Sequence, residues 1–364
     1  LLIAILLTPL PGADPLAEAS ARIEKHRKGG VQVLVESGGR PVAGAKVAIE
    51  QTRHAFLFGC NIFFLAPGDA SVAQKQYQAR FKALLNYATL PFYWGAYEPE
   101  RGKADEARLR LLAEWCRKNG IEVKGHPVVW HEVFPRWVGA DEPMEPLLRK
   151  RIGETVGRFR GLVDRWDVVN ESLVAHDHKN PYGAWVGQVG AAQAVEKCLR
   201  WASDSNPHGF FLVNDFRVTP EYERELADLR RSGAPFHAVG IQSHMHTGEW
   251  TTERAWEVCE AYARLGLPIH FTELTVLSGP KESPMKDWHA HRPGWSSTPE
   301  DEAKQADYVE KLYTVLFSHP AVEAITWWDL SDAASWMGAP AGFLRRDMSP
   351  KPVYDRLLAR VKGE

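Results

Sequence analysis

From residue 56 onward, short apolar runs alternate with longer segments whose apolar positions recur every three to four residues. The runs are FLFGC (56–60), NYATL (86–90), VKGHPVVW (123–130), RWDVVN (165–170), FFLVND (210–215), AVGIQSH (238–244), PIHFTE (268–273) and AITWWDL (324–330). Each is rich in β-branched and aromatic residues and too short for a helix, so each reads as a strand covered on both faces. Between them lie amphipathic helical segments such as DEARLRLLAEWCRKNG (105–120), AAQAVEKCLRWAS (191–203) and AKQADYVEKLYTVLFSH (303–319). Strands separated by helices pair in parallel, because a parallel connection needs a crossover. Eight such units in about 300 residues predict an α/β fold, a (β/α)8 TIM barrel. The competing open doubly wound sheet would carry a Gly-rich loop after its first strand, and CNIFFLAPGD (60–69) has none.

The start of the chain follows different rules. VQVLVESGGRPVAGAKVAIEQTR (31–53) alternates apolar and polar residues around a Gly/Pro-rich centre, which predicts a small β-hairpin-like extension over 21–53 ahead of a barrel over 54–362. Leu1 to Leu7 form an apolar run too short to span a bilayer, followed by Pro and small residues. This pattern reads as the remnant of a secretory signal with cleavage near Ala13 or Ala17. Residues 1–20 are therefore expected to lie outside the fold, and the protein is expected to be secreted or periplasmic.

Barrel active sites lie at the carboxyl ends of the strands. The polar and aromatic residues that fall there are His126 and Trp130, Asn170 and Glu171, Asn214 and Asp215, Gln242 and His244, Glu273, and Trp328. Two of these, Glu171 and Glu273, are glutamates that close apolar runs, and a carboxylate at the end of a buried strand is costly unless pairing or chemistry retains it. Either one alone could be an ordinary strand-end glutamate or half of a structural ion pair. Together at one mouth they suggest two carboxyls flanking a glycosidic bond. After the seventh strand, residues 277–300 form a long loop without helical period, in which Trp288 or Trp295 could form a substrate wall. The alternative is a surface excursion packed on itself.

Composition narrows the partners. A net charge of −2 leaves no electrostatic footprint for nucleic acid or an anionic membrane, so neither partner is expected. A monomer is the expectation for the oligomeric state, without a sequence feature that fixes it. Fourteen tryptophans and ten tyrosines suit a polysaccharide or oligosaccharide substrate, on whose apolar faces flat rings stack. The four cysteines (Cys60, Cys116, Cys198, Cys259) show no metal spacing and read as small buried hydrophobes, with a disulfide left open. His126, His131 and His244 leave a metalloenzyme barrel as an alternative, but only His126 and His244 end strands. His289 and His291 lack partners in the sequence, and no metal or cofactor is expected.

These motifs resemble glycoside hydrolase family 10, the retaining endo-β-1,4-xylanases, over about residues 54–362. GHPVVWHEVFPRW (125–137) resembles the strand-3 motif, WDVVNES (166–172) the acid/base motif and GIQSH (240–244) the strand-6 motif. FTEL (271–274) resembles the nucleophile motif and WWDLSDAASW (327–336) the strand-8 motif. The resemblance implies Glu171 as general acid/base and Glu273 as nucleophile. It implies that Asn170 bonds the sugar 2-hydroxyl, that His126, Trp130 and Gln242 line the same subsite, and that His244 orients Glu273. Trp328 and Trp336 would pack over the sugar. Cleavage of internal β-1,4 linkages of xylan or a related plant β-glycan is the implied activity. A β-glucan-active enzyme of the same clan and a non-catalytic carbohydrate-binding barrel remain as alternatives.

The chain departs from the family pattern in places that touch substrate. In NYATLPFYWGAYEPERGK (86–103), Tyr93 stands where the family carries a lysine, before Trp94, and a Glu-Asn pair is missing. Tyr93 and Trp94 are thus expected to bind substrate in an altered, aromatic subsite. Thr275 stands where an aspartate would pair with His244. Val133 replaces a glutamine, Met337 an arginine, and Phe216 a tyrosine.

Overall fold

A computed structural model describes residues 14–283 and 285–362. The chain opens with a helix, Ala19–Arg27, and a minimal antiparallel hairpin of β1 (Glu36–Ser37) and β2 (Arg40–Pro41). The barrel strands follow: β3 (Leu57–Asn61), β4 (Tyr87–Pro91), β5 (Glu122–His126), β6 (Arg165–Asn170), β7 (Phe210–Asp215) and β8 (Ala238–Ile241). A short β9 (His244–Met245) continues from β8, and β10 (Ile269–Val276) and β11 (Val322–Trp327) complete the set. Parallel pairing runs β11-β3-β4-β5-β6-β7-β8-β10, and β10 pairs with β11 to close the ring. This is the (β/α)8 barrel that the alternation predicts, and all eight predicted runs are strands.

The strands read as continuous apolar runs because both faces are covered. All eight residues of β10 are buried, and in β6 only Arg165 is partly exposed. The outer helices cover the sheet with stripes at helical spacing, such as Leu109, Leu112, Ala113 and Cys116 of helix Glu106–Lys118. Side-chain caps fix several helix starts, with Ser71, Thr251 and Thr298 each accepting from a backbone N–H three residues on. The four cysteines are buried and unpaired. No helix among the described residues is long and apolar enough to cross a membrane.

The barrel interior holds a buried charge pair. Lys124 Nζ lies 2.5 Å from Asp167 Oδ2, and both side chains are fully buried. Burial opposes ionisation of Asp167, but Lys124 and the hydrogen bond from His126 outweigh it and hold the carboxyl below its ordinary value.

The N-terminal extension differs from its expectation. Helix Ala19–Arg27 has no apolar stripe, and Ala19 is its one buried residue, so its pattern carries no helical signal. It is held by arginines instead. Arg27 donates to the carbonyls of Phe317, His319 and Val322 at 2.5–2.6 Å and lies over the Phe56 ring. Arg22 donates to Ser318 Oγ and to the carbonyl of Pro15, so the part of residues 1–20 that is described does join the fold. The run Leu1–Leu7 lies outside the described residues. Between 31 and 53 the predicted strands shrink to the two-residue pair, with Val31, Val33, Leu34, Val47 and Ile49 exposed. Alternation alone does not make a strand where no neighbouring edge takes the hydrogen bonds.

Candidate active site

β6 and β10 deliver the two glutamates to the same mouth by different means. Glu273 sits within β10 and is 3% exposed. Glu171 follows β6 in a left-handed conformation (φ 55°, ψ 50°) that turns the chain into the 3-10 helix Ser172–Asp177. Such a conformation costs a non-glycine residue about 1–2 kcal/mol and is held by the surroundings. Here it lifts the carboxyl out of the strand direction and over the mouth.

A dense hydrogen-bond network ties the pair together. Gln242 Nε2 donates to Glu171 Oε1 at 2.7 Å, Trp130 Nε1 to Glu171 Oε2 at 3.0 Å, and Asn170 Nδ2 to Glu171 Oε1 at 3.1 Å. Asn214 Nδ2 donates both to Asn170 Oδ1 and to Glu273 Oε1 at 2.7 Å, linking the two strands. Thr272 Oγ1 donates to Asn214 Oδ1 at 2.6 Å and fixes that amide. Gly240 is required beside it, because a Cβ there would stand 2.5 Å from Asn214 Oδ1. On the far side His244 Nε2 lies 3.2 Å from Glu273 Oε2. His126 Nδ1 bonds Asp167 Oδ2 at 2.7 Å, which aims its Nε2 toward Glu273 Oε1 at 3.8 Å.

These surroundings push the two carboxyls apart. Burial raises Glu171 to about 8; the hydrogen bonds from Gln242 and Trp130 pull it back in part, and the charges of Glu273 and Asp215 add to the rise. Burial also works against the charge on Glu273, but His126, the hydrogen bond from His244 and Lys124 outweigh it, and the carboxyl stays below its ordinary value. One neutral acid facing one carboxylate near neutral pH is the division of labour that acid-assisted nucleophilic displacement requires.

Aromatic rings wall the site. Trp328 stands edge-on to His126 and His244 at 5.4 and 5.7 Å. Trp336 lies against His244 at 4.9 Å and stacks on Trp288 at 5.7 Å. The backbone N–H of Trp336 donates to Asp329, which fixes the loop that carries the ring. Of the two loop tryptophans, Trp288 therefore reaches the mouth, whereas Trp295 donates to Pro280 O and packs on the cluster of Leu277, Ala339 and Ala341.

The chain matches the model of glycosyl hydrolase family 10 over residues 57–360. The chain belongs to glycosyl hydrolase family 10. It is 27% identical to endo-1,4-beta-xylanase B of Thermotoga neapolitana over 283 residues, 72% of this chain and 75% of that one. It is 31% identical to a beta-1,4-xylanase of Dictyoglomus thermophilum over 254 residues, 66% of this chain and 68% of that one. The anti-sigma-I factor RsgI6 of Acetivibrio thermocellus is 28% identical over 92% of this chain, which spans 41% of that factor's length. Native xylanase 10B from Thermotoga maritima shares the fold with a TM-score of 0.71 at 23% identity, over 85% of this chain and 96% of that one. The chain is thus a xylanase-like glycoside hydrolase by kinship.

Within this family-10 barrel, the expected residues Glu171, Glu273, Asn170, His126, Trp130, Gln242, His244, Trp328 and Trp336 come together in one set of contacts. Tyr93 joins them, with its ring edge-on to His126 at 5.5 Å, tilted against Trp130 at 5.6 Å and edge-on to Phe63 at 5.9 Å. Burial and the charges of Glu273 and Glu171 hold its phenol well above the usual range, so it stays a neutral donor. Trp94 is placed elsewhere, contrary to expectation. It is 3% exposed, packs on Phe134 and Trp137, and donates to Glu98. Its position one residue into a helix turns it away from Tyr93 and into the packing behind the strand.

Thr275 does more than remove an acid. Its Oγ1 lies 3.0 Å from His244 Nδ1 and 3.2 Å from the Glu273 carbonyl. A hydroxyl can turn its one proton to the Glu273 carbonyl or to His244 Nδ1, so it makes no demand for a proton on that ring nitrogen. An aspartate could only accept, and would call for a proton on Nδ1.

The sequence reading missed Asn214 as the link between the glutamates, and Lys124 and Asp167 beneath them. A signal existed for the charge pair, since lysine and aspartate interrupt the otherwise apolar runs VKGHPVVW and RWDVVN. His131, which ends no strand, also stands at the edge of the site. It lies 3.6 Å from Glu171 Oε2 and beside His178, and burial, with His178 alongside, pushes its ring down to about 3.

Proposed function

We propose that this chain is a retaining β-glycoside hydrolase that cleaves internal β-1,4 linkages of xylan or a closely related plant β-glycan. The observation that carries the reading is the opposed environment of Glu171 and Glu273, one held neutral and the other ionised. Glu273 attacks the anomeric carbon while Glu171 gives its proton to the departing glycosidic oxygen, so one C–O bond forms as another breaks. Loss of the Glu273 charge in the covalent intermediate removes one of the charges that raise Glu171, which then takes a proton from the water that releases the sugar. Asn170, its donor already directed at the acid, bonds the sugar 2-hydroxyl, and Trp328 and Trp336 cover its face.

The aromatic group of Phe63, Tyr93 and Trp328 favours an altered non-reducing-side subsite in which one neutral hydroxyl replaces a charged donor. A decorated or otherwise modified β-glycan fits such a wall better than a subsite ringed by charges. We also propose that the enzyme works as a monomer outside the cytoplasm, where its polymer is found, to be checked by light scattering and by cell fractionation.

The test is product analysis on xylan, xylo-oligosaccharides and a β-glucan panel, with NMR of the first anomer released. Retention is expected, together with a glycosyl adduct on Glu273 after reaction with a 2-deoxy-2-fluoro glycoside. Inversion would contradict the double displacement. Preference for β-glucan would move the substrate to the related reading. Binding without turnover on any β-glycan, from folded protein, would leave a carbohydrate-binding barrel.

A further inference from the structure

We propose that His131, Glu132 and His178 form a binding site for a zinc-class divalent cation at the rim of the barrel mouth, and that a cation held there inhibits hydrolysis. His131 follows Trp130 in the loop after β5. Its ring is 2% exposed, and neither Nδ1 nor Nε2 has a hydrogen-bond partner among the described residues. A buried polar group left bare destabilises the fold, and a ligand on one of these nitrogens relieves that cost.

The partners are in place. His178 ends the 3-10 helix after Glu171, and its ring centroid lies 3.8 Å from that of His131. Glu132 adds a carboxylate from the His131 side, and donor atoms of all three lie within 4.8 Å of one another. Asn180 Nδ2 donates to the His131 carbonyl at 2.6 Å, which ties the two loops and keeps the donors opposed. His289, from the long loop, brings Nε2 to 3.8 Å from Glu132 Oε1 and offers a fourth ligand.

Imidazoles with a carboxylate suit zinc, whereas calcium and magnesium favour all-oxygen sets. Tetrahedral bonds of about 2.0–2.2 Å put ligand atoms roughly 3.3–3.6 Å apart, so small side-chain rotations close this set. His131 Nε2 is 3.6 Å from Glu171 Oε2. A cation on that nitrogen can take Glu171 as its fourth ligand in place of His289, which draws the carboxyl away from the glycosidic oxygen. This inhibitory effect rests on the proposed hydrolase function; the binding site itself does not.

The full chain, stripped with chelator, is titrated with Zn2+ by calorimetry and with Co2+ by visible absorption, where a tetrahedral centre gives intense d–d bands. One saturable site is expected. His178→Ala and Glu132→Gln should each weaken it at least tenfold, with folding verified by circular dichroism. Without zinc, His178→Ala should hydrolyse substrate at the wild-type rate. With zinc, wild type should lose activity over the same concentration range as binding, while His178→Ala keeps it. No saturable binding, or unchanged binding in His178→Ala, overturns the site. Binding at full activity overturns the inhibition. If no variant hydrolyses any β-glycan, the hydrolase reading fails, and the calorimetric arm still decides the site.

Discussion

Replacing Trp130 with phenylalanine tests whether the indole N–H tunes the acid. Trp130 Nε1 donates to Glu171 Oε2 at 3.0 Å, and this bond favours the charged carboxylate over the acid. A hydrogen bond to a charged acceptor contributes roughly 1.5–3 kcal/mol. At about 1.36 kcal/mol per pH unit, its loss raises Glu171 by roughly one to two units. Water entering the gap would restore part of this, so about one unit is expected. The phenyl ring keeps an aromatic surface beside Tyr93, which limits the change to the donor and part of the stacking area. Glu171 must be protonated to act as acid, so activity falls on the alkaline side as it ionises, near its value of about 8. The assay is kcat/KM against pH on an unactivated xylo-oligosaccharide, whose poor leaving group demands acid assistance. The variant should lose absolute rate through weaker sugar stacking, yet its alkaline limb should lie about one unit higher. A limb that stays in place, or moves to lower pH, would refute the assignment of that limb to Glu171 or of the indole as its donor.

Glu171→Gln removes a carboxyl whose folded value, about 8, lies above its ordinary one, so folding holds its proton more tightly than the unfolded chain does. The stability it contributes is fully present below about pH 4.5 and is lost as pH rises toward 8; relative to wild type, the variant should therefore gain stability between pH 5 and 8, by on the order of a few kcal/mol at most, measured by denaturant titration. Thr275→Asp should hold His244 as an imidazolium against Glu273 and move the acid limb of kcat/KM to lower pH; an unmoved limb would show that Thr275 has no hand in the nucleophile's ionisation. Lys124→Met strands the buried Asp167 charge and should cost roughly 3–5 kcal/mol in denaturant unfolding, with His126 losing its orientation and activity falling as well. Glu273→Ala should reduce hydrolysis by several orders of magnitude, because no other carboxylate in the network can form the covalent bond.

The barrel was legible because each strand is covered on both faces and each crossover helix on one, so burial writes its period directly into the residues. The strand-end glutamates and the residues around them were legible for the same reason, since a polar group at the end of an apolar run stands out. Helix Ala19–Arg27 escaped notice because arginine contacts to the carbonyls of Phe317, His319 and Val322 hold it, and such contacts leave no apolar stripe. Trp94 was misread because adjacency to Tyr93 in sequence says nothing about direction once a helix begins between them.

What the sequence determined by itself was the fold class, the order of the units and the identity of the two carboxyls. The family resemblance gave Glu171 the acid's part, and only the tertiary structure supplied the physical cause that holds it neutral beside an ionised Glu273. That difference arises from burial without a cation for Glu171, and from burial beside His126, His244 and Lys124 for Glu273. It also joined His131 to His178, which lie far apart along the chain on loops after β5 and β6. Local pattern reports which residues are buried; the charges and donors that meet in the burial are chosen by closure of the barrel.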